Sequence, residues 1–234
     1  MPENLLIPSV DLRIGSLEEY NRRQTLKAGF AKEKEKRRPC LTISREFGCE
    51  AYPVAEILKD LMERQTGEQW FLMDKALLEE VARRHNVSEE ILRSLGERNR
   101  LLNEVLSTFS AHWTSEQEHF RLLCRHIISL AEKGNVIIVG RGSSIITRHM
   151  EHCHHFRLYA SPSFKIHSIA KRLSMSHEEA ERLIDKKQKQ RDRFINEFLD
   201  QGFTDLSHFN MLFSNDRNSP EKIAKAIANY VGHA

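Results

Sequence analysis

The sequence is short of the features that would assign it quickly. It contains no run of 18 or more apolar residues, so no stretch is suited to crossing a membrane as a helix. Its 36 Lys and Arg residues barely exceed its 33 Asp and Glu residues, which leaves no clustered basic excess of the kind a nucleic-acid partner demands. Cys40, Cys49, Cys124 and Cys153 show no C-x-x-C spacing and read as free thiols rather than a disulfide framework. The start, MPENLLIPSVDLRIGSLEEY, lacks a basic n-region followed by an apolar h-region, so the expected location is cytoplasmic. At 40% hydrophobic and 29% charged, the composition excludes a disordered chain. The motif G-x-x-x-x-G-K-[ST], with its lysine and its terminal hydroxyl, is absent.

What the chain does have is an alternation. Apolar runs of strand length, LTIS (41–44), WFLM (70–73), VIIV (136–139), FRLYA (156–160) and FNMLFS (209–214), recur between helical stretches. Short runs without strict polar alternation suit strands buried on both faces, so the expected class is α/β with a parallel sheet covered by helices. Ser16 with Glu19, Thr114 with Gln117 and Ser176 with Glu179 fit the reciprocal capping pattern, and Ser161-Pro162 places an N-cap before a first-turn proline. After the first strand, Val54, Ile57, Leu58, Leu61 and Met62 share one helix face, Glu56, Lys59, Asp60 and Glu63 take the other, and Gly67 is the expected stop. The 234 residues suffice for one substantial domain plus an appendage. Residues 1–39 read as an arm, extended and then a charged helix ending in AKEKEKRRP, and 75–133 read as a helical insertion between the second and third strands.

Four stretches carry candidate chemistry. In CLTISREFGCEAYPVAEIL (40–58) a strand runs into a helix N-terminus, where free N–H groups and the helix dipole favour phosphate. Pro53 suits the first helical turn, but Glu50 brings negative charge, so a plain strand–helix turn is the alternative. In VIIVGRGSSIITR (136–148), Arg141 stands at the carboxyl end of a central strand, where such sheets bind ligands and a guanidinium suits phosphate; a surface-loop arginine is the alternative. KKQKQRDRFINEF (186–198) is either a solvated helix face or a basic lid over polyphosphate. RHMEHCHH (148–155) carries four histidines and Cys153, but without established ligand spacing no metal site is expected, and the segment reads as a polar loop before a strand. Cys49 near a helix start lacks an evident base partner and reads as an ordinary thiol.

Together the pieces resemble the cytidylate kinase-like family, a branch of the P-loop nucleoside monophosphate kinases, over about residues 40–232. TISREFG is similar to the family's opening strand and loop, WFLMDKALLEEVA to its second strand, VIIVGRGSSIIT to its Val-Gly-Arg-Gly strand end, and LYASPSFKIHSIAKRL with RDRF to its fourth strand and lid. The resemblance implies a three-layer P-loop kinase fold over 40–234: a five-stranded parallel sheet with helices on both faces, a monophosphate-binding region within 75–133 and a lid over 176–203. It implies ATP with Mg²⁺ as donor and a CMP- or dCMP-like acceptor, with small-molecule nucleotides as partners and no nucleic acid or membrane. Arg141, Arg191 and Arg193 take the catalytic positions, and Asp74, Lys75, Gly140 and Arg141 the monophosphate site. The phosphate loop falls on Ser44, Arg45, Glu46, Gly48, Cys49, Glu50, Ala51 and Tyr52. Ala51 stands where the family's kinases carry lysine, Pro53 where they carry a metal-binding hydroxyl, and Tyr52 where the wider family carries arginine. Two functions therefore stay open, a nucleoside monophosphate kinase and an impaired relative that binds nucleotide or protein. The charged arm offers a route to a homodimer.

Overall fold

The computed structural model describes Ile14 and residues 38–83, 115–199 and 206–232. Five strands form one parallel sheet in the order β2-β3-β1-β4-β5. They are β1 (Cys40–Arg45), β2 (Phe71–Met73), β3 (Val136–Val139), β4 (Cys153–Tyr159) and β5 (Met211–Ser214). The helices are α1 (Ala51–Thr66), α2 (Lys75–Arg83), α3 (Ser115–Lys133), α4 (Ser143–Ile146), α5 (Pro162–Leu173), α6 (His177–Leu199) and α7 (Pro220–Gly232). The predicted arm helix, residues 84–114 of the predicted insertion and the last residues of the predicted lid lie outside the described residues.

The absence of polar alternation in the central strands has the expected cause. Val136 and Ile138 enter one apolar cluster with Leu77, Leu78, Ile127 and Leu199, whereas Ile137 and Val139 enter another with Val54, Leu58, Ile223 and Ile227. The period-2 geometry of a strand sends its neighbours to opposite faces, and both faces are covered by helices. Fully burying side chains of this size stabilises by roughly 1.5–3 kcal/mol each, so the sheet is secured from both sides.

Helix α1 follows its predicted face: Val54, Leu58 and Met62 are buried, and Ile57 and Leu61 pack on the same cluster. Gly67 ends it in the left-handed region at φ 66°, its N–H reaching the carbonyl of Glu63 at 2.9 Å. The chain then turns into β2 through Trp70, whose backbone N–H donates to Glu63 and whose indole N–H donates to Thr66. Ser161 caps α5 by accepting from the Phe164 N–H at 3.3 Å, and Ser176 and Glu179 form the reciprocal box that starts α6.

One boundary differs from expectation. Strand β4 begins at Cys153, so Cys153, His154 and His155 belong to the sheet rather than to a preceding loop. His155 is buried there because its Nδ1 is hydrogen bonded to Thr42 Oγ1 on β1 at 2.8 Å. A polar residue inside a two-sided sheet is tolerated once a partner satisfies it.

Candidate functional site

Open parallel sheets gather ligands beyond the carboxyl ends of their strands. Here that edge is made of the loop after β1, the Gly140–Gly142 turn after β3, Asp74 after β2, the end of β5 and the face of α6.

In the loop after β1, most of the described N–H groups are engaged by protein acceptors. Glu46 N–H donates to the Leu158 carbonyl, Phe47 N–H to Gln188 Oε1 at 2.9 Å, Cys49 N–H to the Glu46 carbonyl, and Glu50 N–H to Asn215 Oδ1 at 2.7 Å. Two side-chain amides, one from α6 and one from the end of β5, thus occupy donors of the kind a phosphate cradle uses. Gly48 has φ 99°, and a Cβ there would lie 2.7 Å from the Lys165 Cβ, so the loop admits only glycine where α5 presses on it. The Lys165 ammonium reaches Glu46 Oε2 at 2.8 Å. Burial first and the Glu46 carboxylate second push the Cys49 thiol up to about 12, so it carries no thiolate at neutral pH. Ser44 bonds Ser144 through their hydroxyls at 3.1 Å, Ala51 is buried at the start of α1, and Tyr52 is half-buried.

The arginines gather on the other side of the loop. Arg45, the last residue of β1, is mostly buried, and burial first, then Arg191, hold it down to about 9 from 12.5; Arg141 acts in the same sense and Asp74 in the opposite one. Burial and then Arg191 hold Arg141 down to about 10. These shifts mean that three guanidiniums share one poorly hydrated volume with Asp74 beside them. Arg191 Nη1 donates to the Arg45 carbonyl at 3.3 Å, and its guanidinium lies 5.1 Å from the centre of the Phe47 ring. Arg141 stacks on Phe194 of the same helix at 4.8 Å. Asp74 is buried and accepts the Leu77 N–H at 2.9 Å, which fixes the carboxylate at the start of α2.

The turn after β3 explains how these groups approach so closely. Gly140, Arg141 and Gly142 are all left-handed, at φ 81°, 57° and 69°. Arg141 is not glycine, so its placement in this region costs energy and is held by what surrounds it. A Cβ on Gly140 would collide with Arg45 Nη1, and one on Gly142 would collide with Leu199 Cδ1. Each glycine therefore makes room for one incoming side chain.

Of the residues the sequence singled out, Arg141, Arg191, Asp74 and Gly140 come together, and Arg45 joins them from the loop. Arg193 does not. Its side chain is 82% exposed and pairs with Glu197 at 3.3 Å, because residues two apart on a helix point to nearly opposite sides. Lys75 is exposed at the start of α2. Lys165, Gln188 and Asn215 were not singled out by sequence. Asn215 at a strand's carboxyl end and Lys165 in the first turns of α5 were open to the same topological rule that selected Arg141. Gln188 gave no signal inside a run of charges.

The family implies Mg²⁺ with its nucleotide. Pro53 offers no hydroxyl where the loop would ligate a metal, and among the described residues no three His, Cys, Asp or Glu side chains form a metal-holding group. The ion would come with the nucleotide, held by phosphate oxygens and water.

The architecture recurs in a solved structure. An uncharacterized protein from Eubacterium ventriosum ATCC 27560 has a similar structure, with TM-score 0.64 at 18% identity over 84% of this chain and 99% of its own. Shikimate kinase from Bacteroides thetaiotaomicron aligns with TM-score 0.42 at 12% identity over 82% of this chain and 98% of its own. TT1252 from Thermus thermophilus aligns with TM-score 0.44 at 16% identity, over 85% of this chain and 98% of its own. No curated protein matches the sequence. The sequence model of the cytidylate kinase-like family matches residues 40–217, which include β1, the turn after β3, α6 and β5. With its parallel sheet covered by helices on both faces, the chain belongs to the cytidylate kinase-like family.

Proposed function

We propose that the protein binds nucleotides at this edge and transfers a phosphoryl group from ATP to a nucleoside monophosphate of the CMP or dCMP kind. The observation that carries the reading is the convergence of Arg141 and Arg191 beside Asp74 at the carboxyl ends of the central strands. Desolvated guanidiniums hold phosphate through short, charge-assisted pairs of hydrogen bonds. In the reaction an ionised oxygen of the acceptor phosphate attacks the γ-phosphorus of ATP. The bond from that phosphorus to the β-phosphate oxygen breaks, and ADP leaves with the electron pair. The acceptor oxygen already carries negative charge, so no general base is required; positioning and charge neutralisation perform the catalysis. Mg²⁺, when bound with ATP, supplies further neutralisation. Arg141 holds the acceptor phosphate, and Arg191 brings the lid helix over it.

A second reading, nucleotide binding or partner binding without turnover, is favoured by the loop, where Asn215 and Gln188 engage N–H groups and no lysine is present. Calorimetric titration with Mg–ATP and with CMP, followed by a turnover assay, separates the two. Saturable binding of both with ADP formation supports the kinase. CMP binding without turnover selects nucleotide binding within the second reading, and no binding of either to millimolar concentration refutes the kinase and leaves partner binding. Arg141→Ala is expected to weaken CMP at least tenfold, consistent with a lost charge-assisted pair, whereas Lys59→Ala, which removes an α1 ion pair with Glu63, leaves CMP binding unchanged. Equal effects of the two would rule out the site.

A further inference from the structure

We infer that Arg45 is the cation that takes over from the absent loop lysine: it binds the phosphoryl group in transit, and Gly140 exists to admit it. The inference rests on the phosphoryl-transfer reading above and adds the residue that joins its donor and acceptor sides.

The other nearby cations are committed elsewhere. The Lys165 ammonium is 2.8 Å from Glu46, Arg193 faces solvent with Glu197, and Arg157 stacks over Phe209 at 5.7 Å. Arg141 and Arg191, which rest on Phe194 and Phe47, are assigned above to the acceptor phosphate. Among the described residues, no hydrogen bond or ion pair engages the Arg45 guanidinium. Its position is nonetheless specified. The side chain leaves the end of β1, the central strand, and crosses to β3, where only the missing Cβ of Gly140 leaves room for Nη1. It feels Arg191, Asp74, Arg141 and Cys49 at once, and so stands between the loop and the acceptor arginines. A charged group built into a tight slot among like charges works against the stability of the fold, an arrangement that belongs to ligand sites.

A loop lysine acts on oxygens of the transferring phosphate from within the cradle. Arg45 would act on the same non-bridging oxygens from the strand end, while the phosphorus–oxygen bonds form and break as given above. It takes and gives no proton.

The test compares wild type, Arg45→Met, Arg45→Lys, Gly140→Ala and Arg141→Ala by calorimetry with inorganic pyrophosphate and with CMP, alongside thermal melting. Arg45→Met keeps most of the stem and removes the charge. It is expected to weaken pyrophosphate about tenfold or more, with Arg45→Lys between it and wild type. Arg45→Met should also raise the melting temperature in the absence of ligand by about 2–4 °C, because like-charge crowding is relieved. Gly140→Ala should weaken pyrophosphate with the arginine still present; if that variant fails to fold, the two Arg45 variants decide alone. Unchanged pyrophosphate affinity in Arg45→Met overturns the inference, as does a lowered melting temperature with unchanged anion binding, which marks a structural role. The outcomes also separate this inference from the kinase reading. CMP binding that depends on Arg141 while pyrophosphate ignores Arg45 leaves the kinase reading and removes Arg45 from it. Pyrophosphate binding that depends on Arg45, without CMP binding, keeps Arg45 as an anion ligand and removes the nucleotide.

Discussion

The backbone N–H of Glu50 donates to Oδ1 of Asn215 at 2.7 Å, so a donor at the start of α1 ends on protein instead of facing an incoming ligand. Asn215 is buried, and its Nδ2 reaches the Asn218 carbonyl, so the side chain is held from both ends. Asn215→Ala is expected to lower stability by about 1–2 kcal/mol for the hydrogen bond lost. It should also raise affinity for Mg–ATP severalfold, because the Glu50 N–H becomes available to phosphate. Denaturant titration and calorimetry on the same variant check both signs. A stability loss with no gain in affinity would mean that the loop does not meet phosphate at Glu50.

The two arginines of α6 should part company. Arg191→Ala removes a guanidinium that bonds the Arg45 carbonyl and lies over Phe47, and it should cut turnover at least tenfold if the site transfers phosphate. Arg193→Ala removes only an exposed pair with Glu197, a contact of the kind worth less than about 1 kcal/mol, and should leave both turnover and stability close to wild type. Steady-state kinetics on the two variants are sufficient.

Acid should weaken the fold through two histidines. Burial, with Arg125 as the lesser cause, pushes His126 down to about 4 from 6.5. Burial, then His154 and His208, push His155 to about 4. Both imidazoles stay neutral in the folded state while the unfolded chain takes up protons below 6.5. Their contribution is therefore complete above pH 6.5 and is lost as the pH falls toward 4. It amounts to roughly 3 kcal/mol for each at most. Urea unfolding at pH 7, 5.5 and 4.5 measures the decline, and His155→Gln should make it shallower. An unchanged pH dependence in that variant would show that His155 titrates normally.

Leu199 Cδ1 would lie 2.3 Å from a Cβ on Gly142, whose φ is 69°. Gly142→Ala must therefore displace the carboxyl end of α6, at a cost of about 1–3 kcal/mol from strain and lost packing. Amide exchange should quicken in α6 more than in β1 or β3. Uniform change across the chain would show that α6 is not docked through Leu199.

The sheet was legible in the sequence because VIIV and LTIS are apolar on both faces, and only a strand between two helical layers requires that. The start of β4 was not legible. Cys153, His154 and His155 look like loop residues until Thr42, 113 positions away, supplies the hydrogen bond that buries His155. The same limit applied at the site. Arg141 could be placed by its position after a strand, but helical phase alone does not say which of Arg191 and Arg193 faces inward until Arg45 and Phe47 show where inward is. Arg45 itself was read as part of the loop by its neighbours in sequence, whereas its guanidinium belongs to the turn after β3.

That last contact constrains how the family can vary. Position 140 lacks a side chain for two reasons, its left-handed backbone and the long side chain of position 45, so the two are expected to vary together. A relative that gains a side chain at the first must lose the arginine at the second or re-route it, and the reverse change removes the steric part of the demand for glycine while the left-handed backbone keeps the rest. Paired change at positions 95 residues apart in the chain, with neither site drifting alone, is the evolutionary trace this packing should leave.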